Sequence, residues 1–101
     1  MKNYYCSLHR AMDLIGNKWK PLILFHLLDG PQRSGVLQRS VPEISNKMFT
    51  QTVRELERDG LLVRIVHPVV PPHVEYELTV LGRSLESILH DLDEWGKHAA
   101  S

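Results

Sequence analysis

Between residues 44 and 79 the apolar positions change from helical spacing to strict alternation, and that change is the strongest signal in the chain. Met48, Phe49, Val53 and Leu56 share one face at helical spacing. Ser45 precedes them as an N-cap, since its hydroxyl can accept from an orphaned first-turn amide. Ile44 and Phe49 stand at the N′ and N4 positions of a hydrophobic staple. Asp59-Gly60 supplies the stop, because glycine tolerates the left-handed conformation that ends many helices. Lys47, Thr50, Gln51, Arg54 and Arg58 fall on the opposite face. These are amide, hydroxyl and cationic groups of the kinds that bond base edges and phosphates. An ordinary solvated helix has the same look, so the flanking elements must decide.

Before this helix, residues 34–40 form a shorter helical segment with Val36, Leu37 and Val41 apolar, and Pro42-Glu43 makes a short break. That is the length that joins the two helices of a helix-turn-helix. After it, Leu62 to His67 is rich in β-branched residues, and Val74, Tyr76 and Leu78 alternate with Glu75 and Glu77. Both patterns predict strands, the second with one buried face and one wet face. Pro68, Pro71 and Pro72 cannot donate to a ladder and belong to the loop between them. The expected fold is mostly α with a small β-hairpin wing: a winged helix-turn-helix, whose second helix enters a DNA groove.

The two ends are expected to be dimerisation helices. Thr79 caps a last helix whose apolar residues Leu81, Leu85, Ile88, Leu92 and Trp95 step by four, three, four and three. This is a heptad-like seam, widened by Leu89. Packing on its own domain would give the same pattern, but two heptads of seam in so small a chain favour a homodimer. The first helix would help through Leu8, Met12 and Ile15. A helix from Asn17 or Lys18 to Leu28 follows, with Pro21 early, where proline costs least, and Trp19, Leu22, Ile23 and Leu27 for the core.

Length fits one domain over residues 1–101, with a modest core that dimerisation would help stabilise. No apolar run is long enough to span a bilayer, and Met1-Lys2 is not followed by a signal-peptide stretch. A single cysteine suits a reducing cytoplasm, which is the expected location. The net charge is zero, yet it is unevenly spread. Residues 1–67 carry ten Lys/Arg against six acids, and residues 68–101 carry two against six. That polarity would hold an acidic end away from phosphate.

Candidate chemistry is sparse. There is no phosphate-cradling glycine loop, nucleophile elbow or Ser/His/Asp signature, so neither an enzyme nor a cofactor is expected. His90, Glu94 and His98 share a helix face, with Asp91 close by, but a polar stripe on an amphipathic helix gives the same pattern and no metal site is assigned. His26, alone among apolar residues, is expected in the core or an interface with a hydrogen-bond partner. Cys6 lies before the first helix near His9 and Arg10, and a helix N-terminus with nearby cations favours thiolate. An inert buried thiol is the alternative. With one thiol, any protein disulfide must be intermolecular.

These residues together resemble the HxlR-type regulators, a bacterial and archaeal group of winged-helix transcription factors related in architecture to the MarR type. The markers are Cys6, IGNKW at 15–19, LIL at 22–24, GPQR at 30–33, ISNKM at 44–48, LERDGLLVR at 56–64, PPHVEYELT at 71–79, LGRSL at 81–85 and WGKH at 95–98. The resemblance implies a homodimer that binds an inverted repeat in double-stranded promoter DNA and represses or activates nearby genes. It makes Ser45–Arg54 the recognition helix, so Ser45, Asn46, Lys47, Thr50, Gln51 and Arg54 are the expected DNA-binding residues, joined by His73 from the wing. Cysteines matching Cys6 in some similar proteins sense quinones, aldehydes or oxidants by alkylation or by an intersubunit disulfide. This chain departs from the usual pattern at Asn17, where a second glycine is common, and at Ser34 and Val36. It also has His73 where a wing arginine is usual, and histidine makes phosphate contact pH-dependent. The competing reading is a winged-helix module that docks protein on the same polar face. Steep salt dependence of duplex binding separates the two.

Overall fold

A computed structural model describes residues 6–99, which leaves Met1-Lys2 outside the described residues. Helices α1 (Ser7–Ile15) and α2 (Trp19–His26) come first. The side-chain oxygen of Asn17 accepts from the amides of Trp19 and Lys20 at 2.9 and 2.8 Å. This satisfies two donors that a helix start leaves orphaned. The departure at Asn17 is therefore a working cap.

Strand β1 (Gln32–Arg33) follows and leads into α3 (Ser34–Arg39). Helix α4 (Asn46–Arg58) comes next, with strands β2 (Leu62–His67) and β3 (His73–Leu78) behind it. The sheet has the order β1-β3-β2 and both ladders are antiparallel. Two strands were expected and three are present among the described residues. A two-residue strand cannot display alternation, and β1 exists only because β3 offers Tyr76 and Glu75 as partners. In the turn between α3 and α4, Glu43 takes a positive φ of 71°.

The limits of α4 agree with the local signals. Ser45 Oγ accepts from the Met48 amide at 3.0 Å, and Ile44 and Phe49 are both buried. At the other end Gly60 has φ +79°, the Leu61 amide donates to the Leu56 carbonyl, and the Gly60 amide donates to Glu57. That crossed pair is the Schellman ending, with buried Leu56 and Leu61 as its apolar contact.

The core gathers Ile23, Leu24 and Leu27 of α2, Leu37 of α3, Val53 and Leu56 of α4, and Leu61 and Leu62. Phe49 meets Tyr76 edge to face, with ring centroids 6.3 Å apart, so α4 is keyed directly to β3. Ile15, expected to help an interface, is a core residue at 7% exposure.

The last helix is not continuous. Helix α5 (Val80–Arg83) and helix α6 (Glu86–Ala99) are separated by a turn at Ser84-Leu85. Thr79 caps α5, accepting from the Gly82 amide at 3.0 Å while its hydroxyl donates to the Gly60 carbonyl. A side chain at Gly82 would meet the Leu61 carbonyl oxygen at 2.1 Å, so α5 is pressed onto the α4–β2 junction. Ser84 donates its hydroxyl back to the Leu81 carbonyl, a bond that competes with the helix ladder. Among the described residues no helix is long and apolar enough to cross a membrane.

Candidate nucleic-acid interface

Helix α4 buries Phe49, Thr52, Val53 and Leu56 and leaves Lys47, Thr50, Gln51 and Arg54 exposed. The sequence therefore placed both faces correctly. Two open hollows flank the exposed face. One, of about 660 Å³, runs along Asn46, Lys47, Thr50, Gln51, Arg54, Glu55 and Arg58. The other, of about 450 Å³, lies between α4 and the sheet and is lined by Thr50, Val53, Arg54, Glu57, Arg64 and Tyr76. Thr50 and Arg54 line both, so they occupy the crest between them.

Not every expected residue is free to reach a base. The Ser45 hydroxyl is engaged in capping, and Asn46 Oδ1 accepts from Gln38 Nε2 of α3. Both build the helix-turn-helix corner. The Arg58 guanidinium bonds Asp59 at 3.1 and 3.2 Å. That hydrogen bond first, and the carboxylate charge second, raise Arg58 above its ordinary range. It is a cation committed to the helix end.

Two contributors escaped the sequence reading. Arg64, exposed on β2, joins Arg54 at the second hollow. Lys20 is 7% exposed on the apolar helix α2, and its Nζ reaches Glu55 Oε2 of α4 at 3.5 Å. The pair fixes the rotation of α4 on its support. A lone lysine within WKPLIL was the available signal, since a buried charge requires a partner. Glu55→Ala should leave that ammonium buried and unpaired, costing about 1–2 kcal/mol of stability because Glu55 remains partly solvated. Urea unfolding followed by circular dichroism measures it, and an unchanged midpoint would remove the pair from the framework.

An exposed cationic face on the second helix of a helix-turn-helix, followed by a wing, is the arrangement of a DNA reader. The family model described as HxlR-like helix-turn-helix matches residues 14–101. The chain belongs to this HxlR-like family.

Its relatives agree in sequence and structure. It is 52% identical over 95 residues to the uncharacterized HTH-type transcriptional regulator YtcD of Bacillus subtilis, covering 94% of this chain and 75% of that protein. The redox regulator HypR in its oxidized form superposes with a TM-score of 0.88 at 43% identity, covering 92% of this chain and 96% of that one. The reduced form of the regulator YodB from B. subtilis gives 0.78 at 32% identity, covering 93% and 92%. This HxlR-family chain is a DNA-binding transcriptional regulator with a winged-helix fold, in a family of regulators rather than enzymes.

The remaining expected sites fall as follows. Cys6 is exposed at the N-cap of α1, with extended backbone. Leu8, Met12, Leu81, Ile88, Leu92 and Trp95 are all exposed, between 47% and 71%. Leu85 is half-buried and packs against the core, and Leu89 is buried within it. His26 is half-buried, edge-on to Phe25, and its carbonyl accepts from Gln32 Nε2. His90 also packs edge-on against Phe25, while Glu94 accepts from Lys97 at 2.8 Å, so the α6 stripe is ordinary helix surface. His73 is half-buried at the start of β3, its ring stacked on that of His67 with centroids 4.5 Å apart.

Proposed function

We propose that the chain acts as a homodimer that binds an inverted repeat in promoter DNA through α4, with Lys47, Thr50, Gln51 and Arg54 facing the major groove. The carrying observation is the exposed face of α4, where Thr50 and Arg54 stand between two open hollows and Lys47 and Gln51 line the first of them. Ser45 and Asn46 position that face, Arg64 lines the hollow beside it, and the wing supplies a further phosphate contact through His73. Steep salt dependence tests the reading: affinity for duplex DNA should fall linearly on a log–log plot, and Lys47→Ala or Arg64→Ala should each lower the slope by about 1. Salt-independent association would favour a protein-docking role for the same face.

Pairing is supported by the apolar side chains left in water along α1, α5 and α6. A small chain rarely leaves so many large apolar side chains exposed without a partner. The second copy supplies that partner, and two-fold symmetry then requires a two-fold operator.

Cys6 is proposed as a thiol through which an oxidant or electrophile releases DNA. Its exposure and its place at the start of α1 support this, as does likeness to a protein named as a redox regulator. An adduct or intersubunit disulfide there would re-space two recognition helices. A shift of about 1.4 kcal/mol between competent and incompetent arrangements already changes affinity tenfold. Diamide or a quinone should therefore weaken operator binding by wild type and not by Cys6→Ser. Equal responses from both proteins would make the thiol structural.

A further inference from the structure

The outer face of the wing brings together three side chains that no sequence motif groups. His67 and His73 are direct partners at the end of the β2–β3 ladder, and Glu75 lies two residues along β3 on the same face. Their rings stack at 26°, and His67 Nε2 lies 2.7 Å from Glu75 Oε1. One ligand atom from each of the three falls within 4.8 Å of the others, the one such convergence of metal-ligating side chains among the described residues. A hydrogen bond between His67 and Glu75 accounts for two of them. It does not account for an imidazole directly opposite, with its ring face against His67.

We propose that His67, His73 and Glu75 form a three-ligand site for a divalent first-row transition ion, with zinc as the representative metal. Two imidazoles and one carboxylate suit this class, while calcium and magnesium prefer all-oxygen sets. Metal–ligand bonds of about 2.0–2.2 Å need ligand atoms roughly 3.3 Å apart in a tetrahedron, so the side chains would have to rotate toward a common point from atoms that now lie within 4.8 Å of one another. The fourth position stays open to solvent. Arg33 is the β1 register partner of Glu75. Binding would clip the two wing strands together. It would also add two positive charges to the sheet face that carries Glu75 and Glu77. The wing would then attract phosphate, a consequence that rests on the DNA-binding reading above.

The test begins without DNA. Zinc titration of the intact protein against a chromophoric chelator should show one site per chain, and cobalt(II) should give a visible spectrum of nitrogen–oxygen coordination. His67→Asn, His73→Asn and Glu75→Gln, all at partly solvated positions, should each weaken zinc binding at least tenfold. Zinc affinity equal to wild type in all three variants, or loss on Cys6→Ser instead, would overturn the site. With duplex DNA, zinc should raise the affinity of wild type several-fold and have no effect on the affinity of Glu75→Gln. Wing-dependent zinc binding without any gain for DNA would leave the metal site standing and overturn the placement of the wing against phosphate.

Discussion

Replacing Ile88 and Leu92 together with glutamate should yield a folded monomer whose affinity for an inverted-repeat operator falls on the order of 10²–10⁴-fold. That is the range by which linking two sites strengthens binding over one. Both side chains are about half exposed, at 49% and 51%, so the change should spare the core. The same substitution at Leu85 would be uninformative, because that residue also packs against the core and a charge there threatens the fold. The mechanism is geometric. A monomer presents one recognition helix, whereas a dimer holds two about one DNA turn, ~34 Å, or a multiple of it apart. Analytical ultracentrifugation with circular dichroism checks the first half and operator titration the second. Wild type sedimenting as a monomer at micromolar concentration would sink the model, as would a monomeric variant that still bound the full operator tightly.

Arg54→Ala should cost about 1–3 kcal/mol of operator affinity, either at every sequence or by relaxing one guanine position. Arg54 lies on the crest between the two hollows, and a guanidinium there can reach either the O6/N7 edge of guanine or a backbone phosphate. Gln51→Ala should instead change which sequences are preferred, because a primary amide pairs in bidentate fashion with adenine and carries no charge toward phosphate. Selection of binding sites from a random duplex pool separates the two outcomes. Unaltered affinity and preference in both variants would mean that another element reads the DNA. Neither substitution should alter stability, since both side chains are exposed and the packing of α4 rests on Phe49, Val53 and Leu56.

What the sequence determined alone is whatever neighbours in the chain decide. Ser45 caps α4 through the Met48 amide three residues on, and Gly60 ends it through bonds that span only Leu56 to Leu61. The alternation of Val74, Tyr76 and Leu78 with glutamates placed β3, and the helical period of Met48, Phe49, Val53 and Leu56 set which face of α4 met water. Such signals survive in one dimension because hydrogen-bond reach and side-chain period are local.

The tertiary structure decided everything that required two distant segments to meet. Strand β1 is too short to announce itself and was settled by the free edge of β3. The chain breaks at Ser84-Leu85, just after α5 packs at Gly82 against the Leu61 carbonyl, a contact that no heptad count contains. The apolar seam is divided as well: Leu89 lies in the core, while Ile88, Leu92 and Trp95 are left in water. Lys20 found Glu55 across 35 residues, and His67 met His73 and Glu75 only through the register of a hairpin. In each case a burial cost or a ladder registration, both properties of packed segments, chose among arrangements that the linear pattern allowed equally.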